Sequence, residues 1–193
     1  MKPILPLIFF ILFYRCNVMD NSQQDGIDNA SVNFSLIDLT NNKFDFNESI
    51  KSKELSIIFF GYSHCPDICL NTLREFSKAI EKLTYFQIAK TQFIFVSVDP
   101  KVDSNEQLKK FAQNFDPRIV VLRGTELEIE KVKKDFKLTV VLNLEKNKDG
   151  SSKMIHSTNI FWIDKNRKKI KTSPYNISAT EIVKEVNNRE LKR

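Results

Sequence analysis

Hydrophobic residues follow two different spacings along the chain. Largely apolar runs at residues 55–60, 93–98 and 119–122 are typical of strands buried on both faces of a sheet. After the first run, apolar residues recur at helical spacing, at Leu70, Leu73, Phe76, Ile80 and Leu83. After the second run, a similar stripe is formed by Leu108, Phe111, Ala112 and Phe115. The pattern predicts strands that alternate with helices.

Three helix starts are marked by capping signals, in which Ser or Thr is followed three residues later by Glu or Gln. The pairs are Ser104 with Gln107, Thr125 with Glu128, and Ser178 with Glu181. Each pair stands directly before a stretch with apolar residues at helical spacing. We therefore expect helices to begin just after Ser104, Thr125 and Ser178.

Further strands are predicted on either side of this core. Residues 33–39 alternate apolar and polar positions, and residues 43–46 predict a second short strand. Nearer the C-terminus, residues 138–144 and 153–162 predict a hairpin joined through the turn residues at 149–150, Asp149 and Gly150. Strands that alternate with helices and end in an antiparallel pair and a closing helix predict a mixed α/β sheet with helices on both faces.

The N-terminal segment differs in character from the rest of the chain. Lys2 precedes an apolar run over residues 3–14, which is shorter than the roughly 20 residues of a spanning helix and fits an export signal or a membrane anchor. Lipidation of Cys16 is disfavoured because Tyr14 and Arg15 precede it in place of small residues. We expect a signal or anchor at residues 1–19, a polar linker at 20–31 and one domain at 32–193, on the periplasmic or cell-envelope side.

Composition and charge exclude several classes of protein. With 41% apolar and 28% charged residues, and only three Cys in 193 residues, the chain is neither disordered nor built on a disulfide framework. Most of the net charge of +6 lies in residues 164–193, which hold nine basic and four acidic residues. The basic run at 167–171 is not interleaved with aromatic residues, as a nucleic-acid footprint would be. We expect a solvated face, or one that contacts anionic lipid, and no nucleic-acid partner.

The candidate chemistry lies where the first inner strand gives way to a helix, in the sequence FFGYSHCPDIC at residues 59–69. Ligand and redox sites gather at such strand ends, and the positive end of a helix dipole lowers the pKa of a nearby thiol. We therefore expect Cys65 and Cys69 to be reactive and not merely buried structural thiols. Residues four apart on a helix have Cβ atoms about 5–6 Å apart. This suits two thiolates on one metal, a disulfide is also within reach, and spacing alone leaves both open.

Four motifs resemble the Sco/SenC family of copper-handling proteins, in the same order and spacing. They are FFGYSHCPDIC at residues 59–69, FVSVDP at 95–100, FDPR at 115–118 and IHSTNIFWID at 155–164. The resemblance covers the chain from about Val32 to its C-terminus. It implies a thioredoxin-like fold with an inserted β-hairpin and a membrane tether. One departure is Leu70, which stands where the family usually has proline after the second cysteine.

The resemblance also implies a ligand set. The family binds copper through two motif cysteines and a distant histidine, which correspond here to Cys65, Cys69 and His156. Its acidic residues near the site correspond to Asp67 and Asp99, with supporting and not ligating roles. Two simpler alternatives stay open, in which Asp67 caps the following helix and Asp99 caps its strand end. Without the resemblance, His156 would be interpreted as an ordinary hairpin histidine.

Copper fits this donor set chemically. Thiolates select Cu(I) and imidazole suits either oxidation state, so two sulfurs and one nitrogen hold Cu(I) in three-coordinate geometry, whereas Cu(II) requires a further oxygen or nitrogen. A structural zinc site requires four ligands.

The other histidine, His64, precedes Cys65 and is interpretable as a ligand, as a base or as a solvated loop residue; we favour the loop residue.

Two functions of different class follow from the resemblance. The first is a membrane-tethered copper chaperone that supplies subunit II of cytochrome c oxidase and exchanges copper with other copper-handling proteins. The second is a thiol-disulfide oxidoreductase that reduces the cysteines of a partner, with Cys65 and Cys69 as its redox pair. The two functions differ in their need for His156, because copper capture requires a third ligand and thiol exchange does not.

Overall fold

A computed structural model describes residues 32–146, 152–166 and 170–190 of the chain. The side chains of residues 141–146 and 152–156, and of Ile170 and Glu190, fall outside that description. The predicted signal or anchor, the predicted linker, the turn at Asp149 and Gly150 and most of the basic run at 167–171 also lie outside the described residues. Within the described ranges, no helix is both long enough and apolar enough to cross a membrane.

Fifteen elements make up the described part of the fold. In chain order they are β1 (Ser35–Asp38), β2 (Lys43–Asp45), α1 (Phe46–Ser52), β3 (Leu55–Gly61), α2 (Ile68–Lys82), α3 (Tyr85–Lys90), β4 (Thr91–Ser97), α4 (Asn105–Ala112), β5 (Ile119–Arg123), α5 (Glu126–Asp135), β6 (Val140–Lys146), β7 (Ser152–His156), β8 (Ile160–Asp164), β9 (Ile170–Ser173) and α6 (Ala179–Glu190). The predicted alternation of strands and helices is confirmed.

Seven strands form one mixed sheet in the order β2-β1-β5-β4-β3-β8-β9. Strands β3, β4 and β5 run parallel, and β8 pairs antiparallel with β3. Strands β6 and β7 form a separate two-stranded hairpin. Because β3, β4 and β5 are parallel, their C-terminal ends lie at one edge of the sheet, which is where sites form in open α/β folds.

Phenylalanine rings show that helices cover both faces of the sheet. On one face, the ring of Phe95 in β4 lies 5.5 Å from that of Phe111 in α4. On the other face, the ring of Phe136, at the end of α5, lies 4.7 Å from that of Phe60 and 5.2 Å from that of Phe161. Side chains of β3 alternate between the faces, which is why its run of seven residues is buried throughout.

The capping signals act as predicted. Reciprocal capping boxes join Ser104 to Gln107 at the start of α4 and Thr125 to Glu128 at the start of α5. At the start of α6, the Ser178 hydroxyl accepts the N–H of Glu181, whose carboxylate accepts the N–H of Ser178. These bonds satisfy first-turn N–H groups that have no partner within the helix.

One prediction about the hairpin is wrong, because residues 153–162 do not form a single strand. Strand β7 ends at His156, and β8 begins at Ile160 and pairs with β3 instead of β6. At the break, the N–H of Ser157 donates to the carbonyl of Thr139 at 2.8 Å, and the Ser157 hydroxyl accepts the N–H of Thr139 at 2.8 Å. The side chain of Ser157 thus closes the hairpin, and the chain then joins the main sheet.

Two short helices were not predicted. Asp45 caps helix α1, its carboxylate accepting the N–H groups of Asn47 and Glu48, and a capping box of Thr84 and Gln87 precedes α3. Both helices have at most seven residues. A helix of that length covers too few turns to produce a recognisable apolar period.

Candidate metal centre

The two motif cysteines lie at the C-terminal edge of the parallel strands. Strand β3 ends at Gly61, residues 62–65 form a turn that we call the cysteine turn, and α2 begins at Ile68. Within the turn, the N–H of Cys65 donates to the carbonyl of Tyr62 at 3.3 Å. Cys65 therefore lies just before α2, and Cys69 lies inside its first turn.

The two thiols are brought together by this arrangement. The Sγ of Cys65 accepts a hydrogen bond from the N–H of Cys69 at 3.5 Å, so Cys65 lies against the positive N-terminal end of α2. Both residues are buried, and no disulfide joins them. The structure thus brings two sulfur atoms together at a strand end, and their role as a pair of soft metal donors stays a prediction.

Gly61 makes room for the second sulfur. A Cβ built on Gly61 would lie 2.5 Å from the Sγ of Cys69 and 2.9 Å from the Cε2 of Phe95, both of which are closer than real Cβ contacts. The absence of a side chain at this position therefore lets the Cys69 thiol pack directly on the end of β3. No local pattern in the sequence indicates this role of Gly61.

The expectation that both thiols have a lowered pKa is wrong for Cys69. Its hydrogen bond with Cys65 raises the pKa of Cys69 well above the ordinary value, and burial and the negative charge of a thiolate at Cys65 raise it further. The helix dipole acts on each cysteine separately and would lower both pKa values. In the fold the two thiols act on each other, because a second negative charge in a buried site is unfavourable.

Asp67 and Asp99 differ in their surroundings. Asp67 is exposed at the N-cap position of α2, where its side chain makes no capping hydrogen bond, although its carbonyl accepts the N–H of Asn71 at 3.0 Å. Asp99 follows β4, and its carboxylate accepts the N–H of Val102 at 3.4 Å. Burial raises the pKa of Asp99, and the charge of Asp103 adds to the effect. The carboxylate of Asp99 therefore bonds within the loop that follows β4, whereas the side chain of Asp67 makes no capping bond.

Asp103 is a site residue that the sequence analysis missed. Its carboxylate is fully buried and accepts hydrogen bonds from the N–H of Ser63 at 3.0 Å and from the hydroxyls of Ser63 and Ser97. Ser63 lies in the cysteine turn and Ser97 ends β4. Forty positions separate Asp103 from Ser63, so no local pattern in the sequence could have indicated the contact.

His64 is half-buried and not a fully solvated loop residue. Its Nδ1 lies 2.9 Å from the hydroxyl of Ser63 and 3.8 Å from Oδ1 of Asp103. The residue does lie in a loop, as favoured, since it belongs to the cysteine turn. Nδ1 of His64 therefore lies on the side of the turn that faces Asp103, within hydrogen-bond distance of the Ser63 hydroxyl.

The backbone of His156 lies near the same edge of the sheet. His156 ends β7 and pairs with Val140, and four residues later Ile160 begins β8. Ile160 pairs with Phe59, two residues before Gly61. The side chain of His156 is outside the described part of the chain, and among the described residues no three His, Cys, Asp or Glu side chains form a cluster able to hold a metal ion. The complete ligand set remains a prediction.

Comparison with known proteins gives the family. The model of the SCO1/SenC family matches residues 22–190. The chain belongs to the SCO1/SenC family. It is 37% identical over 155 residues to an SCO2-like protein of Rickettsia typhi, a match that spans 80% of this chain and 75% of the relative.

Solved structures of the SCO1/SenC family share the fold. ScoI of Bradyrhizobium japonicum, solved with copper bound, is 29% identical, with a TM-score of 0.68 over 81% of this chain and 96% of that one. Yeast Sco1 is 25% identical, with a TM-score of 0.72 over 83% and 97% of the two chains. The predicted thioredoxin-like architecture of a mixed sheet flanked by helices is thereby confirmed.

Leu70 does not prevent the SCO1/SenC fold from forming its site helix. Leu70 lies in the first turn of α2, where backbone N–H groups have no partner within the helix. A proline would be tolerated at this position, but the helix does not need one in order to begin. Its side chain is partly buried and packs against the core. Leucine at this position is therefore compatible with the start of α2.

Proposed function

We propose that this chain is a copper chaperone for the assembly of cytochrome c oxidase. Copper is its cargo, and Cys65, Cys69 and His156 are its ligands. The observation that carries the proposal is the contact between the two motif cysteines, in which Sγ of Cys65 lies 3.5 Å from the backbone nitrogen of Cys69 in a buried turn. The presence of copper in ScoI of Bradyrhizobium japonicum supports it.

The chemistry of the donors explains why copper suits the site. Two thiolates are soft ligands that favour Cu(I), and one imidazole completes a three-coordinate shell, while Cu(II) would take a further oxygen or nitrogen. A shell of three ligands leaves room for an incoming donor. A recipient protein can therefore begin to bind the ion before this chain releases it.

The pairing of β8 with β3 supports His156 as the third ligand. The pairing of Ile160 with Phe59 brings the residues before β8 to the edge at which β3 ends. His156 comes only four positions earlier and ends the hairpin strand β7. Asp67 and Asp99, on the segments that flank the site, are proposed as supporting residues.

The partners follow from the same proposal. The recipient is subunit II of cytochrome c oxidase, and other copper-handling proteins supply the ion. The chain is exported and acts on the periplasmic or cell-envelope side, held at the membrane by its N-terminal segment. The apolar run at residues 3–14 and the polar stretch at 20–31 support an anchor and a tether in front of a domain at 32–193.

Anaerobic titration with Cu(I) against a competing chelator tests the ligand set. His156→Ala should lower Cu(I) affinity by at least the 10- to 100-fold typical of residues that only support a metal ligand. His64→Ala is the matched variant, because the chain has only two histidines. A larger loss with His64→Ala than with His156→Ala, or no loss with either, would contradict the assignment.

Thiol-disulfide exchange is the second candidate function. It is favoured by the contact between two reduced cysteines that are four residues apart, since such a pair is able to form and break a disulfide. The rate at which the reduced protein reduces a partner peptide that contains a disulfide separates the two functions. His156→Ala should leave this rate nearly unchanged while it weakens copper binding; an equal loss of both would count against a separate exchange function.

A further inference from the structure

The carboxylate of Asp103 lies out of solvent directly behind the cysteine turn. Its side chain is 0% exposed, and it accepts hydrogen bonds on both oxygens. The hydroxyl of Ser63 donates to Oδ1 at 2.6 Å, the N–H of Ser63 donates to Oδ2 at 3.0 Å, and the hydroxyl of Ser97 donates to Oδ2. A buried carboxylate is costly unless its oxygens are bonded, so these donors and the acid hold each other in place.

These bonds connect three separate segments of the chain. Ser63 belongs to the cysteine turn, Ser97 is the last residue of β4, and Asp103 lies in the loop between β4 and α4. The loop is itself closed by the N–H of Asp103, which donates to the carbonyl of Asp99 at 2.9 Å. Gly61 and Ser97 are paired in the sheet. The carboxylate therefore fixes the cysteine turn relative to the ends of two neighbouring strands.

The bonds to Asp103 constrain the turn more strongly than the hydrogen bond between its own backbone groups does. The bond within the turn, from the N–H of Cys65 to the carbonyl of Tyr62, is long at 3.3 Å. Bonds to a carboxylate are shorter and about twice as strong as bonds between neutral groups. Cys65 follows Ser63 by two residues, so a shift of Ser63 would move the sulfur that faces Cys69.

We propose that Asp103 is a positioning residue for copper binding: by holding Ser63, it fixes Cys65 at the N-terminus of α2 and so preorganises the two sulfurs for one ion. The inference rests on the proposed function. Ligands that are already in place bind a metal more tightly than ligands that must first be ordered. The free energy that would be spent on ordering the turn is instead supplied when the chain folds.

Asp103→Asn is the primary test. The amide keeps the size of the side chain, but its NH₂ group faces hydroxyl and N–H donors where an oxygen had accepted them. We expect Cu(I) affinity to fall at least tenfold. Asp116→Asn is the matched control: the carboxylate of Asp116 is 9% exposed and accepts the N–H of Arg118 at 2.8 Å, in the loop before β5 at the opposite edge of the sheet. It should leave Cu(I) affinity within twofold.

A double-mutant cycle shows whether Asp103 acts through Ser63. Ser63→Ala removes the hydroxyl bond, so Asp103→Asn should lower Cu(I) affinity less in the Ser63→Ala background than in the unaltered chain. An effect of equal size in both backgrounds would overturn positioning through Ser63. If Asp103→Asn does not fold, Ser63→Ala and Ser97→Ala replace it, and unchanged affinity in both would overturn the proposal.

Amide hydrogen exchange of the metal-free protein separates this inference from the proposed function. Exchange at Ser63 should speed up at least tenfold in Asp103→Asn while exchange in β3 is unchanged. Faster exchange at Ser63 with Cu(I) affinity unchanged would overturn the role in copper binding. Failure of the unaltered chain to bind Cu(I) would refute the proposed function, and with it this role, whereas exchange at Ser63 would still report whether Asp103 holds the turn.

Discussion

Gly61→Ala is the substitution for which the structure gives the most detailed expectation. The added Cβ would lie 2.5 Å from Sγ of Cys69 and 2.9 Å from the ring of Phe95. Ordinary contacts between carbon atoms lie at about 3.5–4.0 Å, so both neighbours are roughly 1 Å too close. The ring of Phe95 is buried in the core and has little room to move. The Cys69 thiol is the smaller group, and its rotation would relieve the overlap.

Two opposing terms set the change in the free energy of unfolding. Adding a methyl group to a packed core costs about 1–3 kcal/mol. Replacement of glycine where no left-handed backbone is required returns about 0.4–1 kcal/mol, because the unfolded chain has less freedom to lose, and the backbone of Gly61 is not left-handed. The net expectation is a loss of about 1–2 kcal/mol. Because the relief moves a sulfur, Cu(I) affinity should also fall, by tenfold or more.

Urea unfolding of the reduced, metal-free protein and anaerobic Cu(I) titration measure the two effects. Gly124→Ala is the matched control, since its Cβ would lie 2.6 Å from Cδ2 of Leu36, a comparable overlap that involves neither thiol. It should destabilise the fold to a similar degree and leave Cu(I) affinity within twofold. Unchanged copper affinity in Gly61→Ala, or an equal fall in both variants, would refute the reasoning.

Two further predictions concern stability. The carboxylate of Glu75 accepts a bond from Lys78 and the N–H of Ala179, which together lower the pKa of Glu75; Glu75→Gln should therefore cost about 1 kcal/mol in urea unfolding at pH 7. Because the pKa of Glu75 is lowered in the folded protein, the stabilisation by its carboxylate is present above the ordinary pKa of 4.5 and is lost as the pH falls through the lowered pKa. A difference in unfolding free energy between the variant and the unaltered chain that persists fully at pH 2 would contradict this prediction. Thr125→Ala removes a capping box and should cost about 1 kcal/mol, whereas the exposed Leu127→Ala in the same helix should cost less.

The parts of the fold that depend on local pattern could be predicted from the sequence. The buried run at 55–60 and the capping pair Ser104 and Gln107 specify their elements through neighbouring residues alone. The same holds for the position of the cysteines between a strand and a helix. The break between β7 and β8 was not predicted, although the polar residues 156–159 interrupt the apolar positions of 153–162. A short polar stretch is compatible with either a turn or one continuous strand, and the pairing of Ile160 with Phe59 shows that a new strand begins after it.

The parts of the site that depend on tertiary contacts could not be predicted from the sequence. Asp103 meets Ser63 across forty positions, and Gly61 is needed because the sulfur of Cys69 and the ring of Phe95 both pack on it. The raised pKa of Cys69 has the same origin, since its main cause is a neighbouring thiol and not the helix dipole. A linear pattern reports what a residue does within its own element, whereas these effects arise where elements meet.

The interior location of β3 has a consequence for how the thiols respond to fluctuation. Strand β3 has partners on both sides, β4 and β8, while β2 and β9 form the rims of the sheet. Local opening in proteins starts at frayed margins and reaches central strands only near the cost of complete unfolding. The edge strands can therefore open and close many times while the cysteines keep their spacing. Local opening at the edges of the sheet should then have little effect on the binding of a soft ion.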